Sequence, residues 1–149
     1  MLEDQLAKDL KTSMLAGDSA RTETLKMLKS ALLYKAVELG VRDAGLTEEQ
    51  VIDVLSKESK KRAEAAAMYE KAGRAKQAAA EKFEQELISQ YLPKQASDEE
   101  IIAAIDQVIL KIGDVSMQQM GQVIGAVKAQ LGQTADGSRV ATLVKEKLS

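Results

Sequence analysis

No cysteine and no histidine occur among the 149 residues of the chain. The first absence excludes disulfides, thiolate nucleophiles and Cys-ligated zinc or iron–sulfur sites, so the fold stands on packing alone. The second removes the commonest general base, the usual nitrogen ligand for metals and the side chain that titrates near neutral pH. Few enzymes work under that double absence. Aromatic residues amount to only 3% against 45% hydrophobic residues in all, and Ala, Leu, Glu, Lys and Gln recur throughout. That is the vocabulary of helices rather than strands, and it predicts an all-α protein. A chain of this length holds one ordinary domain or two small ones, with no room for a large active-site cleft. No apolar run exceeds a few residues, and Met1-Leu2-Glu3-Asp4 lacks the basic and apolar regions of a secretory signal, so a cytoplasmic protein without membrane contact is expected. Lys plus Arg (21) nearly balances Asp plus Glu (23), a net charge of -2, so any contact with RNA must be local.

Helical periodicity organises what is present. Leu2, Leu6, Leu10 and Met14 fall at i, i+4 spacing and stop at Gly17, a suitable left-handed C′ residue. Asp18 can cap a second helix with Leu25, Leu28, Leu32 and Ala36, closed by Gly40; the two helices should form a hairpin. After a loop over residues 41–45, Thr47 and Gln50 make a capping box for a third helix carrying Val51, Val54, Leu55 and Tyr69. Without a breaker before Gly73, that helix is roughly 40 Å long, more than one small core covers, so part of it should project. Its middle, Lys57 to Glu64, reads as an exposed arm braced by pairs such as Glu58 with Arg62. A fourth helix presents Phe83, Leu87, Ile88, Tyr91 and Leu92 before Pro93, the only proline, ends it.

Periodicity stops over Pro93 to Ala96 and restarts at a capping box of Ser97 with Glu100, which predicts an N-terminal helical domain with a long helical hairpin (residues 1–93) and a C-terminal three-helix bundle (97–149). In the second part Ile101, Ile102, Ile105, Val108, Ile109 and Ile112 form a stripe ending at Gly113. Ser116 with Gln119 caps a helix bearing Met120, Val123, Ile124, Val127 and Leu131, closed by Gly132. Asp136 can cap a last helix with Val140, Leu143, Val144 and Leu148.

Residues that suggest chemistry mostly have structural explanations. The acidic pairs and runs Glu48-Glu49 and Asp98-Glu99-Glu100 sit in first turns, where the helix dipole favours them, and no calcium-loop pattern is present; no metal and no cofactor are expected. Ser13, Ser30, Ser56, Ser59 and Ser89 lie within helical patterns and are expected to face solvent rather than to act as nucleophiles, and neither a phosphate loop nor a dinucleotide fingerprint occurs. Met14, Met27, Met117 and Met120 read as core fillers, and Tyr69 and Tyr91 as packed rather than base-stacking. Two features resist that account. Gly121 and Gly125 lie inside one helical pattern, where each costs about 1 kcal/mol relative to Ala, so another surface approaches closely: either a neighbouring helix of the bundle or a partner. Around them, Lys111, Lys128, Arg139, Lys145 and Lys147 face Asp114, Asp136 and Glu146, a net +2 over residues 111–149 that reads as a solvated face or a phosphate-binding patch.

Several stretches in order along the chain resemble the YqeY-like proteins: Arg21-Thr22-Glu23-Thr24-Leu25-Lys26-Met27-Leu28-Lys29-Ser30-Ala31-Leu32, Tyr69-Glu70-Lys71-Ala72-Gly73-Arg74, Tyr91-Leu92-Pro93, Met120-Gly121-Gln122-Val123-Ile124-Gly125 and Ala135-Asp136-Gly137-Ser138-Arg139-Val140. The C-terminal part of that family is related to the tail domain of GatB, a subunit of the tRNA-dependent amidotransferase. The resemblance implies a stand-alone module that contacts tRNA or another structured RNA, or assists an amidotransferase, without catalysis of its own. The family's association with carbon–nitrogen ligase activity, using glutamine as amido donor, rests on homology. The tRNA-binding candidates are Gly121, Gly125, Lys128, Gly137, Arg139 and Lys145. A protein-binding adaptor that uses the long arm is the other expectation.

Overall fold

The computed structural model describes all residues from Met1 to Ser149 and contains seven α-helices, two short 3₁₀ turns and no strand. The chain divides into two compact units, Met1–Leu92 and Pro93–Ser149. No helix is long and apolar enough to cross a membrane.

The first unit contains α1 (Leu2–Ala16), α2 (Ser19–Glu38), α3 (Glu48–Lys71) and α4 (Ala75–Ser89). Gly17, at φ 71°, takes the left-handed conformation that lets α1 reverse into α2, and Asp18 caps α2 by accepting a bond from the Arg21 N–H at 3.2 Å. The Thr47–Gln50 capping box starts α3 with both reciprocal bonds made. Leu6, Leu25, Leu28, Leu32, Val51, Val54, Leu55, Leu87 and Ile88 form the core. At the edge of this core the Tyr91 hydroxyl donates to the Asp9 carboxylate.

Four expectations change here. On α1 the inward position belongs to Ser13, not to Met14, which is 56% exposed. The Ser13 hydroxyl donates to the Leu10 carbonyl at 2.9 Å and accepts from the Thr22 hydroxyl at 3.0 Å, so a polar pair closes the α1–α2 contact. Met27 and Met117 are exposed as well. Phe83 is 44% exposed, because the inner side of α4 is set by Ala78, Leu87 and Ile88. The middle of α3 is also less exposed than its composition suggests. Arg62 is buried beneath α4, where Nε donates to Glu84 at 3.2 Å and a terminal nitrogen donates to Glu58, the expected i, i+4 partner. Its other terminal nitrogen lies 2.8 Å from the Met27 sulfur on α2. Lys57, Lys60 and Lys61 do face solvent. Beyond Arg62 the two helices continue as a hairpin, turned at Gly73, whose buried positions are Ala66 and Ala78.

The second unit is a bundle of α5 (Asp98–Ile112), α6 (Met120–Leu131) and α7 (Gly137–Leu148), with 3₁₀ turns at Met117–Gln119 and Gly132–Thr134 before α6 and α7. Ile101, Ala104, Ile105, Val108, Val123, Val127, Val140, Leu143 and Val144 make its core, and Ile102 is turned outward at 38% exposure. The Ser116–Gln119 capping box is complete, whereas at the start of α5 only the Ser97 half is made, Ser97 accepting from the Glu100 N–H. Asp136 occupies the N-cap of α7 without bonding the first amides through its side chain. The Ala96 N–H donates to the Thr134 carbonyl at 2.7 Å, fastening the entry of α5 to the turn before α7.

Candidate nucleic-acid interface

On α6, Val123 and Val127 point into the bundle, and this fixes the direction of every other residue on the helix. Gly121, Gly125 and Lys128 follow one another at i, i+4 and i+7, all exposed, on a single side away from the core. A Cβ placed on Gly121 or Gly125 meets nothing within 4 Å. Close approach of a neighbouring helix in the bundle is therefore not the reason for these glycines; the backbone there is bare to solvent.

Lys128 extends from α6 across the first residue of α7. Its Nζ stands 3.2 Å, and its Cε 3.4 Å, from where a Cβ of Gly137 would be. A Cβ at position 137 would shift the tip of the lysine by only a few tenths of an ångström. The ammonium lies over the N-terminal end of α7, where the helix dipole is also positive, and the two together favour an anion. The Asp136 carboxylate adjoins the same helix end as the N-cap residue.

Arg139 is directed elsewhere. Its Nε donates to Asp98 Oδ1 at 2.9 Å and an Nη donates to Oδ2, a two-pronged pair that joins the first turns of α7 and α5. The hydrogen bonds from Arg139 hold the Asp98 carboxyl below its ordinary range, and the same bonds raise the Arg139 pKa further. Lys147 pairs with Asp106 at 3.0 Å. Lys145, two turns beyond Gly137 on α7, is exposed and has no ion pair.

Of the six candidates, the structure aligns Gly121, Gly125 and Lys128 on one side of α6 and brings Lys128 to Gly137; Arg139 is held by a carboxylate and Lys145 stands along α7. The residue that sequence reasoning missed is Asp98. Its place in an acidic first turn signals the helix dipole, and nothing in the local pattern shows that a residue 41 positions away will claim it. Counted over the whole unit, residues 93–149 hold six basic and seven acidic side chains, so the +2 of residues 111–149 is cancelled by the acidic start of α5. No group of three or more acidic side chains is arranged to hold a metal ion.

No curated protein matches the chain. The family described as "Yqey-like protein" matches residues 3–148. With nearly every residue inside that match, the chain belongs to the YqeY-like family.

Proposed function

We propose that this YqeY-like protein is a recognition module without catalysis of its own, and that its C-terminal unit lays the glycine side of α6 against the backbone of tRNA, alone or as an accessory to an amidotransferase. The observation that carries the reading is the pair Gly121 and Gly125, bare of any neighbour within 4 Å in a helix where alanine is preferred by about 1 kcal/mol per interior position. Packing within the bundle gives no reason for them, so the close approach they permit is by something outside it. The resemblance to the GatB tail supports tRNA as that partner, and Lys128 over the α7 N-terminus supplies a phosphate contact. Lacking cysteine and histidine, the chain contributes binding rather than chemistry.

The electrostatics bound the mode of binding. With Arg139 engaged by Asp98 and the unit at net -1, only Lys128 and Lys145 among the candidates are available for phosphates. Recognition is then led by shape, with a shallow salt dependence of about -0.9 in log K per log salt for each phosphate neutralised. Replacing Gly121 and Gly125 by leucine, a better helix former, fills open space without disturbing the core, so tRNA affinity should fall while helix content holds and the melting temperature rises. Lys128→Gln should weaken binding and flatten the salt slope by about one contact. Wild-type protein without tRNA affinity at low salt would end this reading.

A second reading is favoured by Met68, 72% exposed, and Phe83 on the α3–α4 hairpin: an adaptor that binds protein through the arm. Retention of a partner from extract after RNase treatment, lost on Met68→Glu, distinguishes it from the first.

A further inference from the structure

Arg62 meets three acceptors on three helices with its three nitrogens. Nε donates to Glu84 on α4 at 3.2 Å, one Nη donates to Glu58 within α3, and the other donates to the Met27 sulfur on α2 at 2.8 Å. The first two acceptors are carboxylates, and charge-assisted bonds to them are strong. A thioether is a weak acceptor, so the α2 side of this clasp is held by the least of the three bonds. Access to the two partners is unequal as well: Arg62 is 8% exposed, whereas Met27 is 37% exposed and can be reached from solvent.

A thioether sulfur has two lone pairs, and the guanidinium uses one of them. The other can attack hydrogen peroxide: an S–O bond forms, the O–O bond breaks, and the departing hydroxide takes the proton from the transferred oxygen and leaves as water. Sulfur is oxidised by two electrons and the peroxide is reduced. The product is a sulfoxide, whose polar S=O oxygen replaces the weak sulfur acceptor. In a closed core that change is disruptive, because the new dipole is desolvated without a partner. At Met27 the side chain is partly in water and an Arg62 N–H already points at it. The rotatable bonds of the methionine let the sulfur draw back by the length of the new bond, which leaves the oxygen between sulfur and guanidinium.

We infer that Met27 is an oxidation site whose sulfoxide, formed by peroxide and reversed by a thiol-dependent methionine sulfoxide reductase, tightens the clasp between α2 and the α3–α4 hairpin. Because Arg62 joins α2, α3 and α4 at one point, a stronger bond on its α2 side makes the hairpin open less readily. The sign is the opposite of the usual effect of methionine oxidation, and it follows from the waiting donor. The bond from Arg62 also draws electron density from the sulfur, so Met27 should react after the freely exposed Met14 and Met68. This site is independent of the tRNA reading, which rests on α6.

The test uses the full chain carrying Met14→Leu, Met68→Leu and Met117→Leu, all at exposed positions. Samples with and without hydrogen peroxide are compared by peptide mass spectrometry for site occupancy and by NMR amide exchange at Arg62 and Ala66. Met27 should be converted in the folded protein, and exchange at those amides should slow about tenfold, the size of one hydrogen bond gained to a charged group. A sulfoxide reductase with thiol should restore the original rate. Met27→Leu in the same background should show no response to peroxide, which accounts for Met1 and Met120. Met27→Gln, whose carboxamide oxygen copies the sulfoxide, should exchange more slowly than Met27→Leu without any oxidant. The inference is overturned by a Met27 that stays unmodified however long the folded chain is treated, or by exchange at Arg62 that oxidation leaves unchanged or accelerates. Equal exchange in Met27→Gln and Met27→Leu, or a peroxide response that persists in Met27→Leu, would also overturn it.

Discussion

Arg139 and Asp98 meet edge to edge, two nitrogens on two oxygens, and so tie the first turn of the last helix to the first turn of α5. The contact makes Asp98 a stronger acid in the folded chain than in the unfolded one. Its stabilising contribution is therefore fully present above the unfolded value of about 3.9 and is lost as pH falls through the folded value. Carboxyl NMR of the Arg139→Gln variant should show Asp98 titrating at higher pH than in the wild type, and the acid limb of the stability curve should become shallower. The same pair bears on RNA: Asp98→Asn releases the guanidinium, so it should raise tRNA affinity if α7 lies in the interface. An Asp98 titration indifferent to Arg139 would contradict the geometry.

Tyr91 supplies the opposite limb. Burial, then the hydrogen bond to Asp9 and the negative charge of Asp9, raise its pKa well above 10.0, against the opposing influence of Arg21. A proton held more tightly in the folded state contributes stability that is complete below about pH 10 and declines as pH rises toward the folded value. Urea midpoints should fall more steeply above pH 10 for wild type than for Tyr91→Phe, while near pH 7 the variant should be weaker by about 1 kcal/mol. Parallel alkaline curves for the two proteins would sink this assignment.

Arg62 is the cation on which the α3–α4 contact depends. Arg62→Met removes one of the two cations on Glu58, a largely buried carboxylate that keeps its pair with Lys61, and the partner of the more exposed Glu84. With Lys61 still on Glu58, the loss of these charged hydrogen bonds is expected to cost about 1.5–3 kcal/mol. Arg62→Met combined with Glu58→Leu should recover much of that loss in urea unfolding, because no largely buried carboxylate is then left short of a cation.

Ser13 and Thr22 make a comparable but uncharged pair. Ser13→Ala strands the Thr22 hydroxyl in a buried contact and should destabilise by roughly 1–3 kcal/mol, whereas Ser13→Ala with Thr22→Val should cost much less. Additive losses in the double variant would mean that the two hydroxyls do not depend on each other.

These pairs also mark what the amino-acid order reveals and what it hides. Gly17, Gly40, Gly73, Gly113 and Gly132 all adopt positive φ at or just past helix ends, and the Thr47 and Ser116 capping boxes form as read, since such signals act within four residues. Side-chain direction along a helix is less legible. Met14 and Ser13 differ by only 100° around α1, and packing turned the serine inward once Thr22 could meet it. Arg62 looked like part of a solvated run because its partner Glu84 lies 22 residues away on another helix. For the candidate interface, the glycines stand out as local anomalies and Lys128 only as one of several basic residues, while the claim of Asp98 on Arg139 exists only in three dimensions.

The α3–α4 hairpin has a further property in its uneven cross-section. Near its base it is anchored by Leu87, Ile88 and Leu55, then by the Arg62 clasp, and beyond that only the methyl groups of Ala66 and Ala78 are buried. A buried methyl group contributes less than 1 kcal/mol, far less than a leucine, so the free energy that resists opening falls along the hairpin toward Gly73. Amide exchange should register this as a gradient, fast at the tip and slow near Leu55, with its steepest step at Arg62. The distal turns can thus fray and re-form without loosening the core, so that a partner could reshape the tip at little cost to the unit that carries it.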